Sequence, residues 1–223
     1  MPNNIILIPT RSGSERVKGK NLRLLGGKPL MGHMIECAIK SNVGEVYLST
    51  DNSEYKTIAK SFGAKAPFLR PKYLSTSKAK SSWVIIHFLK WFKKNKKDFP
   101  KNIIFCPPTN PFLKPDTIQK MLSKIDQNKN FNSIITYAKP KTHPFRIIKV
   151  GINGAVKNDY IKIDGKTINN FERSQDFPSV YEGSPACRIT KAKFFINEFL
   201  SIKNIMSISY NKTYDYKKVM GHE

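Results

Sequence analysis

The chain is poor in acidic residues and in cysteine, and it has no long apolar run. Its 16 aspartates and glutamates stand against 39 lysines and arginines, a formal charge of +23. Such an excess points to an anionic partner: nucleic acid, an anionic membrane surface or a polyanionic substrate. The lysines are spread among apolar residues, and the one dense run, 93–97, reads as a helix end. No nucleic-acid-binding signature of a named type is present, so an anionic substrate is expected rather than nucleic acid. No stretch approaches the roughly 18 apolar residues of a membrane span, and no membrane partner is expected. The N-terminal apolar run is too short for a signal peptide and lacks a small-residue cleavage site. Cys37, Cys106 and Cys187 are odd in number and widely spaced. That excludes a disulfide framework, matches no zinc-site spacing and fits a cytoplasmic setting with each thiol buried.

What is present is an alternation of strand and helix signals. At 223 residues, 39% hydrophobic, the chain suits one domain with a sizeable core. The apolar run 5–8 reads as a buried strand stopped by Pro9. Leu30, Met31, Met34, Ile35 and Ile39 have amphipathic helix spacing, with His33 on or beside that helix in a structural role. Residues 45–50 read as a strand. A helix to Phe62 follows, capped by Asp51 or Ser53 and ended by Gly63. A helix over 82–92 carries His87. A buried strand over 102–106 runs into a proline-stiffened loop. Pro115 opens another helix, and 131–137 reads as a strand. Residues 138–178 read as an irregular segment with β-hairpins. A helix over 190–200 and a last strand over 205–210 complete the reading. The alternation predicts an α/β fold with a parallel sheet.

The chemistry is concentrated after the first strand. Ser12, Gly13, Ser14 and Gly19 are small, and Arg11, Arg16, Lys18 and Lys20 are threaded among them. Small residues let backbone N–H groups approach an anion, and the cations neutralise it. The loop lies at the carboxyl end of the first strand, where open α/β sheets bind ligands. It is neither of the common phosphate loops: Gly-x-x-x-x-Gly-Lys-Ser/Thr and Gly-x-Gly-x-x-Gly are both absent. Taken alone it reads equally as a solvated surface loop.

The longer stretch Ile8-Pro-Thr-Arg-Ser-Gly-Ser-Glu-Arg-Val-Lys-Gly-Lys-Asn21, continuing through Leu30, resembles the opening of the acylneuraminate cytidylyltransferase family. Thr10 stands where that family usually has Ala. The resemblance continues in Ser49-Thr-Asp-Asn52, in Gly63-Ala-Lys-Ala-Pro-Phe-Leu-Arg-Pro71 and in Pro107-Pro-Thr-Asn-Pro-Phe-Leu113. It reappears in His143-Pro-Phe-Arg146 and Arg173-Ser-Gln-Asp-Phe-Pro-Ser-Val-Tyr181. It implies a Rossmann-like, three-layer α/β/α nucleotidyltransferase fold with a mainly parallel sheet. The whole chain, 1–223, would be one such domain, with a β-rich insertion over 138–180 making the dimer contact and part of the sugar pocket.

The implied reaction transfers CMP from CTP to a nonulosonic, sialic-acid-like sugar acid with release of pyrophosphate. Arg11 and Lys20 would neutralise the β- and γ-phosphates. Pro9, Thr10, Ser12, Gly13, Ser14, Asn21, Arg70 and Thr109 would bind nucleotide. Asn110, Arg146, Arg173 and Gln175 would meet the sugar acid, although surface or interface ion pairing accounts for the last three equally simply. Mg²⁺ and a homodimer are implied as well. Three departures stand out. Relatives carry acids near Ser77 and Trp83, Ser184-Pro replaces an Asn-Gly pair, and an Asp-Ile-Asp metal motif near the C-terminus is absent. Asp215 and Glu223 are the nearby acids, and the metal ligands stay unassigned. An impaired or repurposed nucleotide-binding homologue, or a nucleotidyltransferase for another sugar, is the alternative.

Overall fold

Ile5, Ile6, Leu7 and Ile8 are all fully buried, because a layer of helices covers each face of their strand. The computed structural model describes residues 4–96 and 98–200. The expected strand over 205–210, Asp215, Glu223 and Lys97 lie outside them. In chain order the elements are β1 (Asn4–Thr10), β2 (Leu24–Leu25), β3 (Lys28–Pro29), α1 (Leu30–Ser41), β4 (Glu45–Thr50), α2 (Ser53–Ser61) and α3 (Ser81–Lys96). Then come β5 (Asn102–Phe105), α4 (Pro115–Gln127), β6 (Ser133–Ala138), β7 (Lys149–Val150), β8 (Val156–Lys157), β9 (Glu182–Lys191) and α5 (Ala192–Leu200).

The main sheet has the order β4-β1-β5-β9-β6. β1 is parallel to β4 and to β5, whereas β9 runs antiparallel to β5. Ile6 and Ile8 face Met31, Met34 and Ile35 of α1 and Ile118 of α4. Ile5 and Leu7 face Ile85, Phe88 and Leu89 of α3 and Phe195 of α5. The result is the expected α/β/α layering. Burying each of these β1 side chains contributes roughly 1.5–3 kcal/mol.

The chain moves from β1 through α1 to β4 on one side, then returns to β5 on the other. The strand order therefore reverses between β1 and β5. Diverging connections leave a crevice at the carboxyl ends of such a pair, where open sheets bind ligands.

Several local expectations need correction. Pro9 does not stop the first strand; it lies inside β1 in register with Ser49. Leu7 O accepts from Cys106 N, so Leu7 turns its polar backbone toward β5. Pro9, two residues on, turns the same way but beyond Phe105, the last residue of β5. Its missing N–H therefore costs no ladder bond. The cap of α2 is Asn52, whose side chain accepts from Tyr55 N at 3.0 Å, and neither Asp51 nor Ser53. Residues 182–191 form strand β9, so Thr190 and Lys191 precede α5 instead of starting it.

The chain divides into two units, Met1–Thr136 with Pro185–Glu223, and Tyr137–Ser184. The second contains the expected 138–180 segment. It holds the hairpin of β7 with β8, a tight antiparallel turn that pairs Ile163 with Lys166, and three short 3-10 turns. Fully buried Phe145 packs against His143, Phe171 and Phe177, with ring centroids 5.1–5.6 Å away. His143 Nδ1 accepts from Phe145 N, which leaves Nε2–H to donate to Pro178 O at 3.0 Å. These contacts bring the His143 and Arg173 motifs together.

Candidate functional site

The carboxyl ends of β1 and β5 open into a cleft of about 520 Å³. From β1 and the loop after it come Pro9, Arg11, Ser14, Glu15, Arg16, Lys20 and Asn21. Arg70, Thr76 and Ser77 come from the segment before α3, and Phe105, Pro107 and Thr109 from the end of β5. Among the described residues, four cations thus face the space with one lining carboxylate, Glu15. A cleft walled by low-dielectric protein and lined by one sign of charge concentrates anions.

The loop owes its shape to a few bonds. Asn21, 4% exposed, donates from Nδ2 to Arg11 O at 3.0 Å, tying the end of the loop to its start. Gly19 takes φ +62° immediately before the 3-10 turn Lys20–Leu22, a left-handed conformation that a side chain would strain. That turn carries Lys20 to the cleft wall. Ser14 N donates to Ser12 O at 2.9 Å. Ser12 gives both its donors to Asp51: N to Oδ1 at 2.9 Å and Oγ to Oδ2 at 2.8 Å.

Arg70 is the most buried cation of the cleft, 5% exposed. Its backbone N donates to Thr50 O at 2.6 Å, and its Nε donates to Ser75 Oγ at 3.1 Å. Among the described residues it has no ion pair. Burial holds its guanidinium below the usual arginine range; Asp51 pulls it back up and Arg11 pushes it further down. A desolvated cation with open hydrogen-bonding capacity is poised to gain from an anion. Beside it, burial and then Arg70 and Lys90 lower the pKa of His87, whose ring meets Phe68 edge-on at 4.8 Å. His33 Nε2 bonds Leu25 O at 2.7 Å. Neither histidine lines the cleft.

The structure brings together Pro9, Arg11, Ser14, Lys20, Asn21, Arg70 and Thr109 of the expected residues. Ser12 and Gly13 line an adjoining groove with Lys18, Gly19 and Ser75. Thr10 is fully buried in β1, and its Oγ1 has no hydrogen-bond partner among the described residues. Asn110 donates to Thr109 Oγ1 at 3.3 Å. Arg146, Arg173 and Gln175 belong to the second unit. Arg173 there forks onto Asp176, Nε to Oδ2 at 2.9 Å and Nη2 to Oδ1 at 3.1 Å. Sequence reasoning missed Asp51, which reads as a helix cap, and Glu15. The link from Asp51 to Ser12 spans 39 positions and shows only once β1 and β4 are neighbours.

The described residues do not fit a protein-held metal. No group of three or more His, Cys, Asp or Glu side chains among them could hold one. Glu15 stands alone on the cleft wall, and both Asp51 oxygens are taken by Ser12. The three thiols are buried and free. Cys106 and Cys187 have their sulfurs 3.6 Å apart, and burial pushes Cys37 up to about 11. No helix of the described residues is long and apolar enough to cross a membrane.

Comparison with known proteins shows the family and the fold. The chain is 39% identical over 117 residues to the CMP-N,N'-diacetyllegionaminic acid synthase of Legionella pneumophila subsp. pneumophila, covering 52% of this chain and 50% of that protein. It is 30% identical over 207 residues to the pseudaminic acid cytidylyltransferase of Campylobacter jejuni subsp. jejuni, covering 92% and 85%. The chain thus spans half the length of the first relative and most of the second. Its fold matches a solved CMP:2-keto-3-deoxy-manno-octonic acid synthetase complexed with CTP, with a TM-score of 0.63 and 18% identity over 87% of this chain and 76% of that one. The cytidylyltransferase family model matches residues 5–181, and the chain belongs to the cytidylyltransferase family.

Proposed function

We propose that this chain transfers CMP from CTP to a nonulosonic, sialic-acid-like sugar acid and releases pyrophosphate. The observation that carries the reading is the cleft at the β1–β5 divide, where Arg11, Arg16, Lys20 and Arg70 face one carboxylate. Its relatives are named for CMP-legionaminic acid synthesis and pseudaminic acid cytidylyl transfer. In the reaction, the sugar hydroxyl gives up its proton to solvent and its oxygen bonds to the α-phosphorus. The bond from that phosphorus to its bridging oxygen breaks, and pyrophosphate leaves with the electron pair. Such a transfer needs alignment and charge neutralisation more than covalent help. Arg11 and Lys20 neutralise the β- and γ-phosphates, Arg70 adds a desolvated positive charge, and Asn21 keeps the loop closed on itself. Thr109 and Asn110 offer hydrogen bonds to substrate. Arg146, Arg173 and Gln175 recognise the sugar carboxylate and hydroxyls, with Arg173 exchanging Asp176 for the substrate.

The test is pyrophosphate release from CTP with a panel of nonulosonic acids. Turnover with at least one acid, and more slowly with UTP, GTP or ATP in place of CTP, is expected. No turnover with any acid would overturn the reading. A magnesium requirement and a cytoplasmic setting belong to the same reading. Loss of turnover on chelation and its return with added magnesium would support that requirement. A homodimer formed through the second unit is supported by Ile147, Ile148, Val150, Ile152 and Val156, which are exposed there. Sedimentation showing only a 25.5 kDa species at assay concentration would count against it.

A further inference from the structure

We propose that Asp51 is the positioning residue that shapes the anion loop, and that Ser12 acts through this clamp instead of bonding phosphate itself. The inference deepens the reading above and rests on it. Thr10 of β1 lies in register with Thr50 of β4. One residue further on, the chains part, and the Asp51 carboxylate spans the gap. It accepts Ser12 N on one oxygen and Ser12 Oγ on the other, at 2.9 and 2.8 Å. Two parallel bonds to an ionised carboxylate are directional as well as strong. They hold the loop at its second residue, between Arg11 and Gly13.

Two consequences follow. Ser12 has spent its N–H and its hydroxyl on Asp51, and Ser14 has spent its N–H on Ser12 O. Contact with phosphate therefore falls to Gly13 N–H, the Ser14 hydroxyl and the loop cations. The clamp also places a negative charge within electrostatic reach of Arg70. Asp51 acts on Arg70 as its main stabilising charge, opposing burial and Arg11. One carboxylate thus restrains the loop and favours the charge on the buried cation.

The experiment is a double-mutant cycle on Ser12→Ala and Asp51→Ala, read by calorimetric titration of CTP and CMP. It is paired with tryptic cleavage of the unliganded protein after Arg11, Arg16, Lys18 and Lys20. Asp51→Ala is expected to weaken CTP binding on the order of tenfold, the worth of a charge-assisted hydrogen bond. CMP, without β- and γ-phosphates, loses less, and loop cleavage accelerates. Ser12→Ala moves both readouts in the same direction by less, and adds nothing in the Asp51→Ala background. Independent losses, with Ser12→Ala costing the same in both backgrounds, would overturn the proposal by making Ser12 a direct ligand. Unchanged CTP affinity and cleavage in Asp51→Ala would also overturn it. Asp51→Asn, which keeps one acceptor and removes the charge, is expected to fall between wild type and Asp51→Ala. It carries the same test if the alanine variant does not fold. Should the wild type bind no CTP, the functional reading falls, while the cleavage rates still decide the clamp.

Discussion

Arg70→Met is expected to lower kcat/KM for CTP by about 10²–10³, the range for losing one preorganised donor to developing negative charge, while leaving the protein at least as stable. The two halves of this result have the same origin. Arg70 is 5% exposed and has no ion pair among the described residues. Its charge has lost most of its water and has gained one neutral hydrogen bond and no ion pair among the described residues, and that costs free energy in the unliganded protein. Burial outweighs the attraction of Asp51 and holds the pKa of Arg70 below the usual arginine range. Methionine fills a similar volume with no charge to desolvate. The bond from Arg70 Nε to Ser75 Oγ is lost, but Ser75 keeps its own bond to Pro71 O at 3.2 Å. Thermal denaturation and steady-state kinetics on the same preparation check both halves. A variant that melts several degrees lower with wild-type kcat/KM would show that Arg70 serves the fold and not the nucleotide.

Phe88→Ala is expected to destabilise the protein by about 3–5 kcal/mol. For a chain of this size that lowers the melting temperature by roughly 10 °C. Phe88 is fully buried on the α3 side of the sheet. Its ring meets Tyr47 at 5.0 Å, Phe92 at 5.7 Å and Trp91 at 5.8 Å between centroids. These large rings surround the site from several sides and cannot all move in to close the space, so a cavity remains. Tyr47 has a second anchor, its hydroxyl donating to Glu45 Oε2 at 2.5 Å, which holds that ring in place. Denaturant unfolding gives the free-energy difference directly. A loss below about 1 kcal/mol would mean that the cavity collapses.

The parts of the fold legible in the sequence were those that local physics decides. The run Ile5-Ile-Leu-Ile8, short, apolar and followed by Pro9, reads as a buried strand, and it is covered on both faces. The Met31, Met34, Ile35 spacing could only bury one face of a helix, and Pro115 marked a helix start. β9 was not legible. Pro185, Ala186 and Cys187 carry little strand preference, and the strand exists because β5 offers a partner on one side and β6 on the other. Pro9 misled for a related reason: whether a proline ends a strand depends on where its neighbour ends. At the site, the small and basic residues of the loop were legible one by one. The reach of Asp51 to Ser12 was not, because it depends on two strands 40 residues apart in sequence lying side by side. Arg173 was legible as a carboxylate fork, and the carboxylate it holds in the unliganded chain is its own Asp176.

The account turns on the cationic cleft between β1 and β5 gripping the polyphosphate of a nucleotide. Calorimetric titration of CTP and CMP into the wild type and an Arg11→Ala, Lys20→Ala double variant tests this most directly. The wild type should bind CTP at least about tenfold more tightly than CMP, and the double variant should lose that preference, as expected for removal of two charge-assisted contacts. Equal affinity for CTP and CMP in the wild type, or an unchanged preference in the double variant, would contradict it.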